Sequence, residues 1–383
     1  MFLRGSFAAV LISSACLATS HQPVCPGPAA HGSGRCHARV VVDERGHPKA
    51  TAVPSGAYGP AQFRGAYKLP SASGGSGQTI GIVDAYDDPN IESDLAVYST
   101  RFGLRSCTTA NGCFKKVNQT GGTKYPAKNA GWALEISLDV EIAHAICPNC
   151  KILLVEATTP SFANLLVAED YAKAHATVVS NSWGGGEFSG ETTFDTHFST
   201  ANKPITFSSG DSGYGVEYPA ASQYVTAVGG TTLRVNADNS YKSEAVWTGA
   251  GSGCSALEPK PTWQKDAGCI RRTVADISAD ADPNTGAAVY DSVPYQGASG
   301  WFQVGGTSLA SPLIAAVYAL AGNAAGIGDA QYVYGHATYG ASGTLHDVTS
   351  GSNGSCGGSY LCTGKTGYDG PTGRGTPRGT GGF

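Results

Sequence analysis

The chain has 383 residues, and 41% of them are apolar, so it can bury a sizeable core and is not disordered as a whole. Charged residues make up only 14%, against roughly 25% in an average domain. The chain has 25 Lys and Arg, 29 Asp and Glu, a net charge of −4 and no run of Lys or Arg, so nucleic-acid binding through a basic face is not expected.

The first twenty residues have the pattern of a secretory signal peptide. Arg4 gives the positive flank, Phe7 to Leu17 form an apolar stretch, and Ala18-Thr19-Ser20 offers small residues for cleavage. The stretch is too short to span a bilayer, and no other segment approaches ~20 apolar residues. We therefore expect a secreted protein; a buried N-terminal helix and a lipid-anchored Cys16 are the alternatives.

Cysteine usage agrees with an oxidising compartment. Once Cys16 leaves with the signal peptide, ten cysteines remain, and they fall into close couples. Ten cysteines permit many connectivities, and proximity favours the local one. The predicted disulfides are Cys25–Cys36, Cys107–Cys113, Cys147–Cys150, Cys254–Cys269 and Cys356–Cys362. The segment Cys147-Pro-Asn-Cys150, with two residues between its cysteines, could instead be a redox or zinc half-site, but no second Cys/His pair stands at ligand spacing.

Residues 21–55 are rich in Pro, Gly, His and Ala without periodicity, and we interpret them as a short leader or linker, a reduced pro-region. The folded body is expected over 56–383, where short apolar runs alternate with helical patterns. Strands are predicted at 79–84, 151–155, 177–180, 204–207 and 224–228, and helices at 91–102, 132–145, 162–175 and after Gly306. Such alternation predicts an α/β fold with a mostly parallel sheet flanked by helices.

The segment Gly305-Gly306-Thr307-Ser308 leads into an apolar helix. The glycines permit a tight turn, and Pro312 is close enough to the helix start to be tolerated. Ser308 then lies near the helix N-terminus, where free N–H groups and the helix dipole can hold an oxyanion. The alternative is that Thr307 or Ser308 is only an N-cap.

Two other serine-peptidase signatures fit the sequence less well, one for the nucleophile and one for a histidine base. Gly210-Asp-Ser-Gly213 contains the GDSG of trypsin-like proteases, but Tyr214 follows where that signature has Gly-Pro, and no Thr-Ala-Ala-His-Cys segment is present. None of the nine histidines is followed by Gly-Thr, as the base of subtilisins is, and His31-Gly-Ser33 precedes the expected body. Activation of Ser308 by histidine is therefore not expected.

The helix predicted at 132–145 carries Glu135 and Asp139, one turn apart, in a stripe on the side away from Ser137, Glu141 and His144. The latter three are expected on a solvated face. Two acids at i, i+4 without a basic neighbour repel, and when buried together at least one pKa rises. A surface acidic patch is the alternative, and a glycosidase pair does not fit because one helix face presents both acids from the same side.

These residues resemble the sedolisins, or serine-carboxyl peptidases, which are secreted, acid-acting relatives of subtilisin. The resemblance runs from about Tyr58 to Phe383 and rests on a few motifs taken together, namely Gly-Gly-Thr-Ser308-x-x-x-Pro, Glu135-x-x-x-Asp139, Ser209-Gly-Asp211-Ser-Gly, Asn181-Ser-Trp-Gly184, Asp276 to Gly286 and Gly367 to Pro377. It implies a subtilisin-like three-layer fold and an endopeptidase acting on proteins or peptides.

The resemblance also implies roles for single residues. Ser308 is expected to be the nucleophile, Glu135 its general base, and Asp139 the partner that orients Glu135 and shares its proton. Asp211 is expected in the oxyanion hole, where it donates only while protonated, so activity should peak well below neutrality. The low content of charged residues suits such a medium.

A structural calcium site near the C-terminus is implied as well. Its ligands are expected to be the carboxylates of Asp347 and Asp369 and the carbonyls of Val348, Lys365 and Gly367, and hard oxygen ligands on loops suit Ca²⁺. Sedolisins usually carry a large folded propeptide, whereas the leader expected here is short, which leaves activation open.

Two alternatives to the endopeptidase function remain. A tripeptidyl exopeptidase of the same family and a catalytically silent secreted binding protein on the same scaffold compete with the endopeptidase. A monomer is expected, with no nucleic-acid or membrane partner. Three further acids, Asp276, Asp280 and Asp282, are expected to brace turns rather than to line the substrate pocket.

Overall fold

A computed structural model describes residues 20–48, 50, 52–70 and 74–383. The predicted signal peptide lies outside the described residues, apart from Ser20. The α-helices are α1 (Pro60–Ala66), α2 (Ile91–Phe102), α3 (Ala130–Ile146), α4 (Phe162–His175), α5 (Thr307–Ala321) and α6 (Gln331–His336). The strands are β1 (His21–Pro23), β2 (Arg35–Cys36), β3 (Arg39–Val41), β4 (Thr79–Ala85), β5 (Phe114–Asn118), β6 (Lys151–Ala157), β7 (Val178–Asn181), β8 (Trp183–Gly186), β9 (Ile205–Ser208), β10 (Glu217–Tyr218), β11 (Thr226–Val235), β12 (Tyr241–Val246), β13 (Gly253–Cys254), β14 (Thr273–Val274), β15 (Ile277–Asp280), β16 (Ala287–Tyr295), β17 (Ala298–Gly305), β18 (Leu345–His346) and β19 (Thr376–Pro377).

A mostly parallel sheet forms the centre of the molecule. Its strand order is β12-β11-β9-β7-β4-β6-β5, and β15 also pairs with β11. Every neighbouring pair is parallel except β11 with β12. The inner strands β4, β6, β7 and β9 are buried almost throughout, as expected for a parallel sheet covered by helices. The predicted α/β three-layer fold is confirmed.

The helices lie close to their predicted positions. The predictions at 91–102 and 162–175 match α2 and α4 at both ends, and the prediction at 132–145 is extended to Ala130–Ile146 in α3. The side chain of Asn129 caps α3 by accepting from the N–H groups of Gly131 and Trp132. α3 and α5 pack against each other, and α4 packs against β4 and β6. This packing brings the two helices with candidate catalytic residues into contact.

The polar stripe of α3 is buried, so the prediction of a solvated face for Ser137, Glu141 and His144 is wrong. α2 and β16 cover that face. Glu141 Oε2 accepts a hydrogen bond from Tyr290 N at 3.0 Å, and His144 Nε2 bonds the Arg105 carbonyl at 2.7 Å. The stripe therefore supplies internal hydrogen-bond partners to neighbouring elements instead of facing water.

Residues 21–42, part of the segment expected to be a leader or linker, pair with strands of the body. β1 pairs with β3, β3 with β17 and β2 with β8, all antiparallel. Val24, Cys36, Ala38 and Val40 are at most 2% exposed. The strands are two or three residues long and pair with distant parts of the chain, so they leave no periodic pattern in the sequence.

All five predicted disulfides are present. Because Cys147 and Cys150 are bonded to each other, neither offers a thiolate to a metal. Among the described residues, no helix combines the length and apolar character needed to cross a bilayer.

Candidate active site

Ser308 is the second residue of α5, which starts directly after β17. Gly306 has φ 97°, and a methyl group there would lie 1.9 Å from the His37 carbonyl oxygen, so this turn accepts only glycine. The Ser308 hydroxyl is buried and donates to the Ser182 carbonyl oxygen at 3.3 Å. In the first turn of α5, Thr307 N donates to Asp211 Oδ1 and Leu309 N donates to the Gly306 carbonyl oxygen. The N–H of Ser308, between them at the helix N-terminus, is suited to stabilising an oxyanion.

Pro312 is the sixth residue of α5, deeper in the helix than the sequence analysis allows for. Its missing N–H leaves the Ser308 carbonyl without the usual helical donor. The Ser182 hydroxyl lies 3.3 Å from that carbonyl and 2.9 Å from Asp139 Oδ1. Ser182 therefore connects the start of α5 to the acidic residues of α3.

Glu135 and Asp139 are fully buried. Burial and the nearby Asp84 charge raise the pKa of Glu135 well above its ordinary value, and contact with the Ser308 hydroxyl opposes this rise. Burial, Asp84 and Glu135 likewise raise the pKa of Asp139. Glu135 Oε2 accepts a hydrogen bond from Ala38 N at 3.0 Å. Such a pair favours sharing one proton, and it can accept the proton of a neighbouring hydroxyl.

Asp84, near the end of β4, belongs to the same acidic group and is missed by the sequence analysis. Burial raises its pKa to about 8, and neither of its carboxylate oxygens has a hydrogen-bond partner among the described residues. The only signal for it is its position at the end of an apolar run, since functional side chains of parallel sheets gather at the carboxyl ends of strands.

Asp211 follows β9, in the loop where the sequence analysis places it. Its Oδ1 accepts hydrogen bonds from the N–H and the hydroxyl of Thr307 at 2.8 and 2.9 Å, so it caps α5 from outside the helix. Its Oδ2 has no partner among the described residues and would lie 2.6 Å from a methyl group at Gly306. Burial raises the pKa of Asp211, and His37 is the strongest influence against this rise. When protonated, Oδ2 can donate to an oxygen at the start of α5.

The residues expected to bind calcium come together in the C-terminal loops. Both oxygens of Asp347 accept from Gly367 N at 3.1 Å, and Asp369 Oδ2 accepts from Lys365 N at 2.9 Å. Asp369 is buried, and its pKa is raised to about 7 by burial, with the Asp347 charge adding to the rise. Two carboxylates that repel each other fit a hard cation. The carbonyl of Val348 directly follows Asp347 in the same loop, and its role as a ligand stays a prediction.

A second Asp-rich group could also hold a metal ion. Carboxylate oxygens of Asp88, Asp94 and Asp291 lie within 4.8 Å of one another, and all three residues are buried. Two of the acids expected to brace turns have buried partners of their own: Asp276 pairs with Arg272, and Asp280 accepts from Leu233 N at 3.0 Å. Asp282 accepts from Asn284 N at 2.9 Å in a short turn.

Comparison with known proteins connects this geometry to a family. A model of the subtilase family matches residues 118–335. The chain is 30% identical to sedolisin from Pseudomonas sp. (strain 101), over 89% of this chain and 63% of that protein. It is also 30% identical to kumamolisin from Bacillus sp. (strain MN-32), over 84% of this chain and 62% of that protein. The chain therefore spans slightly less than two thirds of the length of these relatives.

A solved structure agrees with the sequence comparison. Pseudomonas sedolisin, a serine-carboxyl proteinase complexed with two molecules of pseudo-iodotyrostatin, has a TM-score of 0.72 at 29% identity, covering 86% of this chain and 96% of the sedolisin chain. The present chain thus belongs to the subtilase family, a family of serine peptidases. Within that fold, its similarity to sedolisin and kumamolisin places it in the sedolisin family, as the motifs predict.

Proposed function

We propose that the chain is a secreted, acid-acting serine-carboxyl endopeptidase. The observation that carries the proposal is the contact of buried Ser308 with buried Glu135 at the start of α5, with Asp139 linked to the same place through the Ser182 hydroxyl. In this proposal Ser308 is the nucleophile, Glu135 is the general base, and Asp139 orients Glu135 and shares its proton. The five disulfides support export to an oxidising compartment, with residues 1–20 as the signal peptide.

The reaction follows acyl transfer. Ser308 Oγ attacks the carbonyl carbon of the substrate while its proton passes to Glu135, and the developing oxyanion is held by protonated Asp211 and the N–H of Ser308 at the start of α5. Glu135 then gives the proton to the departing amine, and water hydrolyses the acyl-enzyme by the reverse sequence. Because Asp211 donates only while protonated, the rate falls as the pH rises through its pKa.

The surroundings of Ser308 favour endopeptidase over tripeptidyl activity. Residues 35–41, which contain β2 and β3, lie on both sides of the start of α5. β2 pairs with β8 on one side, and β3 pairs with β17 on the other. A pocket of about 740 Å³ continues beside it, lined by Asp211, Tyr214 and Glu217 among others. A site that holds extended chain in both directions suits cleavage within a polypeptide.

The test is a pH–rate profile for an internally quenched peptide with a blocked N-terminus, after incubation of the protein at pH 4. We expect a maximum well below neutrality and a loss of at least about 10³-fold in Ser308→Ala. A rate that increases steadily from pH 4 to pH 8 would contradict the role of Asp211. Cleavage of only the unblocked form of the peptide would instead indicate an exopeptidase. Equal rates of peptide cleavage in the wild type and Ser308→Ala would favour the hypothesis of a catalytically silent binding protein. So would a wild type that neither cleaves the peptide nor forms an adduct with a peptide aldehyde.

We also propose that Ca²⁺ is held by Asp347 and Asp369 with the carbonyls of Val348, Lys365 and Gly367. The ion would neutralise the two carboxylates and fix the loops that carry them. A strong chelator should lower the thermal midpoint by several degrees, because loss of a ligand bound only by the folded state removes its binding free energy.

The variant Asp347→Asn separates this site from the Asp88 group. It should have a lower midpoint than the wild type in excess calcium and little further response to the chelator. If the chelator leaves the wild-type midpoint unchanged, the site is wrong; if Asp347→Asn responds as fully as the wild type, the ion is bound elsewhere.

A further inference from the structure

A second pocket of the molecule, which we call the aromatic pocket, is lined by one tryptophan and three tyrosines. Its volume is about 460 Å³, within the usual range of pockets that bind small molecules. It shares no lining residue with the pocket of about 740 Å³ beside the start of α5. The four rings that line it are Trp263, Tyr334, Tyr360 and Tyr368.

Three separate parts of the chain supply these rings. Trp263 lies between β13 and β14, Tyr334 belongs to α6, and Tyr368 lies between β18 and β19. The ring centroids of Trp263 and Tyr334 are 4.7 Å apart, and those of Tyr334 and Tyr368 are 5.8 Å apart. Tyr360 continues the row at 6.1 Å from Tyr368. These are the distances of packed aromatic pairs, so the rings form a continuous wall.

The tyrosine hydroxyls of this wall are engaged within the protein. Tyr334 Oη donates to Asp276 Oδ1 at 3.1 Å. Tyr368 Oη donates to the carbonyl oxygen of Ala275, also at 3.1 Å. These bonds fix the orientation of the rings, and all four rings of the wall are half-buried. The pocket therefore offers ring surface to a ligand while it remains open to water.

The charge available in the aromatic pocket is positive. Asp266 is the only acid among its lining residues, and it is compensated by Lys260 at 2.9 Å and by the Tyr360 hydroxyl at 2.6 Å. Lys265 is exposed, and Arg374 is half-buried. No described residue forms an ion pair or a hydrogen bond with the Arg374 guanidinium, whose Nε is buried. An anionic group is the complement of this arrangement.

Arg374 is held against the aromatic wall. Its guanidinium carbon lies 6.0 Å from the ring centroid of Tyr334 and 5.5 Å from that of Tyr339. Burial raises the pKa of Asp347, and the Arg374 charge is among the influences that oppose this rise, but the two side chains form no ion pair. A planar guanidinium with free N–H groups matches the two oxygens of a carboxylate.

The wall also borders a further pocket of about 520 Å³, which shares Trp263 and Tyr334 with the aromatic pocket. A ligand made of linked rings can therefore continue past this pair. A sugar chain has this shape, and the C–H groups of a sugar ring suit the negative face of an aromatic ring. Its hydroxyl groups stay hydrated at half-buried rings, whereas a simple aromatic acid gains most from a closed apolar pocket.

We propose that the aromatic pocket binds an acidic saccharide, with a sugar ring on the aromatic wall and its carboxylate on Arg374. Such binding holds the protein on an acidic polysaccharide and leaves the pocket beside Ser308 free for peptides. The inference goes beyond the proposed peptidase function and does not depend on it.

The first experiment is isothermal titration of the Ser308→Ala chain at pH 5 with digalacturonate and with its methyl ester. Calcium is held at the same excess in every titration, because uronic acids also bind it. We expect the acid to bind at least about tenfold more tightly than the ester, since methylation removes the charge and keeps the ring. Equal affinities, or no binding at about 10 mM ligand, would overturn the proposal.

Variants made in the same Ser308→Ala chain separate the two contacts. Arg374→Gln should lose at least about tenfold in affinity for the acid and should no longer distinguish it from the ester. Trp263→Ala should weaken both ligands by similar factors. Arg101→Gln, at an exposed arginine of α2, is the matched control and should bind as the parent chain does. Thermal midpoints establish that each variant folds. An Arg374→Gln chain that keeps the full preference for the acid would contradict the role of Arg374.

Two other ligands and one rate measurement test the class of ligand and its location. Benzoate and triglutamate should each bind at least about tenfold more weakly than digalacturonate, and equal binding of either would overturn the assignment to a saccharide. Hydrolysis of the quenched peptide by the wild type should be unchanged by saturating digalacturonate. Competitive inhibition would place the saccharide beside Ser308 and would overturn the assignment to the aromatic pocket.

Discussion

Asp211, the proposed oxyanion donor, has two carboxylate oxygens in different environments. Oδ1 accepts from Thr307 and caps α5, while Oδ2 is left without a partner. An asparagine can keep the acceptor at one atom and place an N–H₂ group at the other, whatever the pH. The pair Asp211→Asn and Asp211→Ala therefore separates the two tasks.

We expect Asp211→Asn to retain activity at pH 4 within about tenfold and to lose less of kcat/KM than the wild type between pH 5 and 7. Asp211→Ala should lose about 10²–10³ in kcat, as on removal of one oxyanion donor. It should also lose roughly 1 kcal/mol of stability with the cap. If the asparagine variant follows the wild-type decline at high pH, another group controls that limb.

Sequence patterns are informative for residues that act within a motif. Ser308, at the start of α5, and Asp211, in the loop after β9, stand in short recognisable signatures, and Glu135 and Asp139 are revealed by their spacing. Asp84 is a single carboxyl at the end of an apolar strand, which is a weak pattern, and its influence on Glu135 and Asp139 is seen only in the fold. His37 and Ala38 reach Glu135 through pairings with residues more than a hundred positions away, which no local pattern records.

At the scale of elements, the helical periodicity of the sequence predicts the positions of α2, α3 and α4, but it does not predict which of their faces are buried. α3 has polar residues at helical spacing, which normally marks a solvated face. Here α2 and β16 form a further layer over it, so Glu141 bonds the backbone of β16 instead of water. A helical pattern thus predicts the existence of an element, whereas exposure depends on elements that arrive from elsewhere in the chain.

The helix α4 contains a buried acid, Glu169, whose effect on the free energy of unfolding can be measured by substitution. Glu169 is fully buried, and burial raises its pKa to about 8, with the Asn181 side chain and Lys173 opposing the rise. Because its pKa is higher in the folded state, the stability it contributes is complete below about pH 4 and is lost as the pH rises through 8. Glutamine has nearly the same shape and does not titrate.

We expect Glu169→Gln to match the wild type near pH 4 and to exceed it by up to about 3 kcal/mol in free energy of unfolding at pH 7, since each pH unit is worth about 1.4 kcal/mol. The measurement is urea unfolding at both pH values. Glu44→Gln, at an exposed position, is the control and should change little at either pH. Equal gains at pH 4 and pH 7 would mean that the effect comes from packing rather than ionisation.

For the whole molecule, the distribution of acids determines the pH range of stability. Several buried carboxyls have a pKa raised above the ordinary range, with burial as the first cause in each. They are Asp84 at about 8, Asp88 at about 7, Glu156 at about 9, Glu258 at about 9 and Asp291 at about 8. Each binds its proton more tightly in the folded chain, so each favours folding at acidic pH. Glu217 has the opposite sign: burial would raise its pKa, but His37 and Arg35 outweigh burial and hold it below its usual value.

We therefore expect the midpoint of urea unfolding to be highest near pH 4 and to fall steadily towards pH 8, at constant calcium and ionic strength. Charge repulsion should not reverse this trend at acidic pH, because only 25 Lys and Arg and nine His are spread over 383 residues. Measuring Ser308→Ala in parallel removes any contribution from proteolysis during unfolding. A midpoint that rises from pH 4 to pH 8 would mean that these carboxyls are ionised in the folded state, and the low-pH chemistry proposed for Glu135 and Asp211 would lose its physical basis.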